Sequence, residues 1–315
     1  MTTDAMCQLK EFDDQYLPFP TFVTAKQAID EALTIYRETG VARHMLVLGE
    51  AGTGKSTLCK LMETQHPRRK LSDRDKIDIV TVSVPPSANV GGVASAVLRS
   101  LGDLWHGRGT IASRTERIVT LCRECGVELM LIDEAQHLQD RGTSRTHYMV
   151  GDWVKDVIDQ VSVPTVMLGL PRLELLLQTN EQLRRRFSRR VRLAFGQNSA
   201  MSVETECLQL FLSLSSLLTL PVSSKPFGPQ EMGTRLYYAC DGRVAYIKKI
   251  LFSALSMALR HEDDAIDVKH LERAFTDDVW WEGVGRLNPF SSDFVFRRLD
   301  RGGEPFQVAG SGGAQ

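Results

Sequence analysis

The sequence predicts an α/β protein: a five-stranded parallel sheet flanked by helices, followed by a small all-α lid domain. Three features predict it. The apolar run Met45-Leu46-Val47-Leu48 leads into the glycine-rich octet Gly49-Glu50-Ala51-Gly52-Thr53-Gly54-Lys55-Ser56 and a helical stretch from Thr57 to Met62. A second apolar run, Leu129-Met130-Leu131-Ile132, ends in the acids Asp133-Glu134. Beyond about residue 200 the strand signal stops and only helical periodicity remains. Short unbroken apolar runs read as strands buried on both faces, which belong to parallel sheets covered by helices.

The elements follow in order. Residues 1–40 are an N-terminal segment and helix. Pro18-Phe19-Pro20 reads as extended and Thr24-Ala25-Lys26-Gln27 as a capping box; Ile29, Ala32, Leu33 and Tyr36 share one helical face before Gly40 stops it. The α/β core spans 41–198. After the Met45–Leu48 strand, Asp78 to Val84 alternates as a β-branched strand that Pro85-Pro86 breaks. Gly91-Gly92 then leads into a helix aligning Val93, Val97, Leu101 and Leu104. Ser113-Arg114-Thr115-Glu116 reads as a second capping box, opening the helix that precedes the Asp133 strand. Trp153, Val157 and Val161 line the next helix, Pro164 to Leu168 is a strand, and Val191, Leu193 and Phe195 alternate in a last short one. Such a sheet has right-handed crossovers and ligand sites at the carboxyl ends of its strands.

In the lid, 199–280, Val203 to Leu220 is an apolar helix and Pro221 to Pro226 a linker. Val244, Ile247, Leu251, Leu255, Ala258 and Leu259 stripe a second helix, and Asp267 caps a third that carries Leu271, Ala274 and Phe275. The tail, 281–315, is expected to be partly disordered from Gly302 onward. Trp280-Trp281, Phe290, Phe294 and Phe296 suit either packing on the lid or contact with a partner.

The octet fits a phosphate cradle. Its glycines let successive backbone N–H groups converge on one anion, Lys55 reaches the outer phosphates, and the Ser56 hydroxyl ligates Mg²⁺, with Thr57 continuing the helix start. The Mg²⁺ and the attacking water need carboxylates, and Asp133-Glu134, roughly eighty residues downstream, supplies them. Asp133 would hold the metal through water or Ser56, and Glu134 would polarise the water that attacks the γ-phosphate. ATP and Mg²⁺ are therefore the expected ligands. Leu183 to Arg192 carries six arginines just before the last strand. Arg184 or Arg186 would reach a neighbouring subunit's nucleotide and neutralise charge on its γ-phosphate; the plain alternative is a solvated basic turn. Arg243, in Cys240-Asp241-Gly242-Arg243, either touches the same phosphates from the lid side or is a surface arginine at a helix start.

Composition bounds these readings. At 315 residues the chain accommodates one α/β core and a smaller domain, and its apolar share of 43% and charged share of 24% are those of a globular protein. No apolar stretch is long enough to span a bilayer, and Met1 to Met6 lacks the parts of a signal peptide, so a cytoplasmic location and no membrane partner are expected. Six scattered cysteines fit reduced core thiols; Cys122 and Cys125 lie in a helical pattern with no partner pair for zinc. A net charge of −1 gives no global attraction to polyanions.

Together, Gly49–Ser56, Leu129–Glu134 running into Ala135-Gln136-His137-Leu138, Gln182 to Phe187 and the Asp-Gly-Arg lid motif resemble the AAA+ ATPases of the initiator branch. Within it the chain is similar to the transposition regulators TnsC and TniB, over roughly residues 20 to 280. The resemblance implies a P-loop AAA+ sheet and an ATPase whose turnover is slow and assembly-dependent. It implies a homo-oligomer, a ring or helical filament, on duplex DNA without sequence preference, and recruitment of a transposase, with a target-selection protein or guide complex as a further partner. By position it implies Lys55 on phosphate, Ser56 and Asp133 on Mg²⁺, Glu134 as base, Arg184 or Arg186 as arginine finger and Arg243 as second sensor. One departure stands out: the strand Val163 to Leu170 ends without the Asn or Thr that often senses the γ-phosphate, so hydrolysis is slow or the sensor lies elsewhere. DNA contact is expected from modest patches repeated along an assembly, with Arg99, Arg108 and Arg114 before the Asp133 strand and Arg141 and Arg145 after it as candidates. Two rivals share the motifs. A replication initiator or helicase loader commonly adds a winged-helix domain, for which about forty residues after the lid are too few. A nucleotide-gated adaptor that does not bind DNA often appends a membrane segment or a ligand-binding domain.

Overall fold

The computed structural model describes residues 3–15, 18–86, 89–138, 144–196 and 201–307, with the side chains of 144–148 and 179 outside the description. In chain order the elements are α1 (Thr3–Asp14), α2 (Pro20–Thr39), β1 (Met45–Leu48), α3 (Lys55–Gln65), β2 (Arg69–Lys70), β3 (Asp75–Lys76) and β4 (Ile79–Ser83). There follow α4 (Val90–Ser100), α5 (Ile111–Glu124), β5 (Leu129–Asp133), α6 (Ser144–Val161), β6 (Thr165–Gly169), α7 (Glu174–Thr179), α8 (Glu181–Arg186) and β7 (Arg189–Arg192). The remainder is helical: α9 (Val203–Ser215), α10 (Pro229–Cys240), α11 (Val244–His261) and α12 (Val268–Asp278). The chain divides into two compact units, 21–193, and 1–20 together with 194–315, so the segment expected over 1–40 is shared between them.

In the first unit a five-stranded sheet runs β4-β5-β6-β1-β7, every pair parallel. β1, β5 and β6 are buried along their whole length, as their unbroken apolar runs require. Leu46 faces Met167 on one side and Arg190 on the other. The last strand contains Val191 but begins two residues earlier, at Arg189, and Leu193 N–H donates to Leu48 O at 2.7 Å just beyond its end. It pairs with β1 through the backbone alone and turns charged side chains to solvent, which protects an edge. Leu46, Val80, Val82, Val97, Ile118, Ile132, Met167 and Phe187 share the core on the helices.

Several helix starts differ from expectation. α2 begins at Pro20, where a proline's missing N–H costs nothing, so Thr24 lies inside the helix and not at its N-terminal cap. α5 is capped by Thr110, whose hydroxyl accepts the Ser113 N–H at 3.2 Å, one turn ahead of the predicted box at Ser113. Asn89 caps α4, and Gly102 at φ +89 ends that turn of chain, leaving Leu104 88% exposed and not on the helix face. The two-residue strands β2 and β3 form an unforeseen antiparallel hairpin.

The second unit pairs α9 with α10 and α11 with α12, and lays α1 along α11, where Lys248 Nζ donates to the Gln15 carbonyl at 2.8 Å. α9 stops at Ser215, earlier than the apolar run to Leu220 suggested, and α10 was not foreseen. Asp267 does cap α12: its Oδ1 accepts the His270 N–H at 3.0 Å while His270 Nδ1 accepts the Asp267 N–H at 3.2 Å. The tail packs on its own unit through 307. Trp280, Phe290, Phe294, Leu299 and Phe306 are buried, while Trp281 and Phe296 stay exposed; 308–315 lie outside the described residues. Arg235, 2% exposed, fastens it by donating from Nη1 to the carbonyls of Pro289 (2.6 Å) and Ser291 (2.7 Å). All six cysteines are free. Among the described residues no helix is long and apolar enough to cross a membrane.

Candidate active site

The carboxyl end of β1 feeds directly into the octet. Gly52 and Gly54 take φ +81 and +96, a region that side chains disfavour, and Gly54 caps α3 without any side-chain bond. The first helical bond runs from Leu58 N–H to Gly54 O, which leaves the N–H groups of Lys55, Ser56 and Thr57 without intrahelical partners, as an anion cradle needs. Thr53 stiffens the turn by donating to Glu50 O at 2.9 Å. Gly49, Thr53 and Lys55 are buried, whereas Glu50, Ala51, Gly52, Ser56 and Thr57 are exposed along the cradle. Lys55 Nζ donates to the carbonyls of Gly49 (2.7 Å) and Glu50 (2.8 Å). Burial pulls its ammonium below the ordinary lysine range, with Glu134 and then Asp133 opposing that pull.

β5 delivers the acids to the same place. Ser56 Oγ donates to Asp133 Oδ2 at 2.7 Å across 77 residues of sequence, and Asp133 Oδ1 accepts the Glu134 N–H at 2.8 Å. Asp133 is buried; Glu134 is 39% exposed at its side chain. Glu134 also sits at φ +55, an unfavourable conformation for a residue with a side chain, of the kind that costs about 1–3 kcal/mol and gathers at functional sites. The next turn places His137 Nε2 3.6 Å from Glu134 Oε2 and buries Gln136 against the same carboxylate. The sequence reading gave Gln136 no role. Its signals were its place in the run that follows Glu134 and the missing polar residue at the end of β6.

The arginines separate by their partners. Arg186 binds Asp159 through two bonds, 2.9 and 2.7 Å. Arg185 pairs with Glu181, Arg189 with Glu31, and Arg190 and Arg192 with Glu174. Arg184 is exposed, and among the described residues it has no acidic partner. Arg243 belongs to the helical unit, at the start of α11. Its Nη2 lies 3.6 Å from Asp241 Oδ2, its Nε is buried without a partner among the described residues, and its guanidinium stands 5.5 Å from the Phe306 ring. Arg298 from the tail holds the Asp241 carboxylate at 2.6 and 2.8 Å.

Of the DNA candidates, Arg99 is exposed and Arg108 is exposed over the Trp105 ring at 4.1 Å. Arg114 is placed differently: it donates to the carbonyls of Gly91 (3.1 Å), Gly109 (3.2 Å) and Gly107, and so braces the loop ahead of α5. Arg141 and the Arg145 side chain lie outside the described residues.

A family model described as Bacterial TniB protein matches residues 13–195. No curated protein matches the chain significantly. Among solved structures the chain is similar to the Aeropyrum pernix ORC2 protein, solved as ADPNP-ADP complexes, with TM-score 0.60 and 14% identity over 85% of this chain and 71% of that one. It is similar also to Cdc6p from Pyrobaculum aerophilum, with TM-score 0.59 and 14% identity over 84% of this chain and 69% of that one. The fold is of the P-loop AAA+ class, an α/β sheet with a helical domain.

Proposed function

Because the chain belongs to the TniB family, we propose that it is an ATP-hydrolysing AAA+ regulator that assembles on duplex DNA and brings a transposase to its target. The observation that carries this reading is the 2.7 Å bond between Ser56 and Asp133, which joins a phosphate cradle to a pair of carboxylates at one end of the sheet. The donors offered to a metal there, a hydroxyl and a carboxylate, are all oxygen and suit Mg²⁺. When bound, Mg²⁺ supplies neutralising charge on the phosphates. Lys55 exchanges its two carbonyl partners for phosphate oxygens, and Glu134 orients the attacking water and takes its proton. Nucleotide binding is supported by the ADPNP-ADP complexes of the similar ORC2 protein.

Arg184 is the finger this reading prefers, since it alone of the six arginines needs no acid displaced before entering a neighbouring copy. Its charge would act on the γ-phosphate and make hydrolysis depend on assembly. Arg99 and Arg108 are the DNA contacts it prefers, each weak singly and additive along an oligomer. Co-sedimentation with duplex DNA tests the whole reading. ATP should drive the protein onto DNA and Lys55→Ala should abolish the effect; binding indifferent to nucleotide would contradict it.

A further inference from the structure

β6 stands between β1 and β5 in the sheet, so its carboxyl end lies between the phosphate cradle and the acids. Three hydrogen bonds run across it. Gly49 N–H donates to Gly169 O at 3.0 Å, Leu170 N–H donates to Gln136 Oε1 at 3.1 Å, and Gln136 Nε2 donates to Glu134 Oε2. The Leu170 bond fixes which way round the amide sits: Oε1 must accept there, so Nε2 is the end that faces the carboxylate. Gln136 is 2% exposed, and a buried amide that loses a partner has no water to replace it.

The strand end is shaped around this side chain. A Cβ at Gly169 would come within 2.7 Å of Gln136 Oε1 and 3.2 Å of the Gln136 backbone nitrogen, so only glycine leaves room. Glu134, by contrast, is 39% exposed at its side chain, with His137 Nε2 3.6 Å from Oε2 and the Lys55 charge nearby. Among the described residues, the amide is the neutral hydrogen-bond donor that reaches the carboxylate oxygen from the buried side.

We propose that Gln136 is a positioning residue that ties the orientation of Glu134 to the phosphate cradle through the end of β6, filling the place left by the strand's missing Asn or Thr. This rests on the reading of Glu134 as the base. The device is a rigid amide held at both ends, and its product is a carboxylate aimed in one direction when the nucleotide arrives.

The test uses the full chain with duplex DNA, measuring steady-state ATP turnover beside equilibrium binding of a fluorescent ATP analogue. Gln136→Ala should lower kcat 10- to 100-fold while nucleotide affinity stays within about threefold. Gln136→Met, which keeps the volume and removes the amide, should do the same and guards against a collapsed pocket. Gly169→Ala should lower kcat with Gln136 intact, and the Gly169→Ala, Gln136→Ala pair should fall no further than Gln136→Ala alone. Glu134→Gln reports separately on the base: wild-type turnover there would remove that reading. With Glu134→Gln inactive, undiminished kcat in Gln136→Met or Gly169→Ala would overturn the proposal. So would a loss confined to nucleotide affinity, which marks a merely structural side chain.

Discussion

Arg184→Ala should stop assembly-dependent hydrolysis while leaving the isolated chain as it is. Arg184 is exposed and has no acidic partner among the described residues, so its removal should change stability by less than about 0.5 kcal/mol. Arg186 is different. Its two bonds to Asp159 join side chains that are 29% and 42% exposed, so Arg186→Ala forfeits a solvent-screened pair worth about 0.5–1 kcal/mol. An arginine acting in trans on the γ-phosphate contributes roughly 10³–10⁵ in kcat, or about 4–7 kcal/mol of barrier. The two effects are far enough apart to be told from each other. The assay is ATP turnover on duplex DNA for each variant and for a mixture of Arg184→Ala with Lys55→Ala. Neither partner alone should turn over, but the mixture should recover activity, since one supplies the nucleotide site and the other the arginine. Full turnover by Arg184→Ala, or a mixture as inactive as its components, would refute the reasoning.

Other consequences can be checked independently. Arg235→Leu leaves the Pro289 carbonyl buried and unpaired and the Ser291 carbonyl with only the Phe294 N–H, a loss of about 1–3 kcal/mol from the helical unit, visible as early urea unfolding and proteolysis of 281–307. His44 accepts the Thr165 N–H, and burial chiefly, with Arg186 next, lowers its pKa from 6.5 to about 4. The unfolded chain thus binds the extra proton first, so stability is full above 6.5 and falls by about 3 kcal/mol as pH drops toward 4; His44→Asn should flatten that slope in urea titrations at each pH. Arg114→Ala should loosen the loop ahead of α5, raising its protease sensitivity, with little change in DNA co-sedimentation. Arg99→Glu with Arg108→Glu should weaken co-sedimentation and reduce its salt dependence.

What could be read from the sequence was what depends on local pattern. Met45–Leu48 and Leu129–Ile132 announce buried strands, and Gly49–Ser56 carries its backbone requirements in its own glycines. The pairing of Ser56 with Asp133 followed from knowing that both strand ends open on one edge. Other features rest on contacts that local pattern does not contain. Thr24 and Ser113 match capping boxes, yet Pro20 and Thr110 begin those helices earlier. Arg114 is a candidate DNA contact by sequence and Arg235 carries no sequence signal, yet both donate to backbone carbonyls. α1 buries Ala5, Leu9 and Phe12, a stripe too short to stand out from a charged segment, and α10 follows a proline-rich linker that masks its start. Gln136 meets Leu170, 34 residues away, only once the chain has folded, a contact local pattern does not contain.

The most direct test of the central claim, one ATP site built from Lys55, Ser56 and Asp133, is calorimetric titration of the full chain with ATP in Mg²⁺. One saturable site per chain should be found, lost in Lys55→Ala and weakened in Asp133→Asn only when Mg²⁺ is present. Absence of binding, or affinity unchanged in both variants, would contradict it.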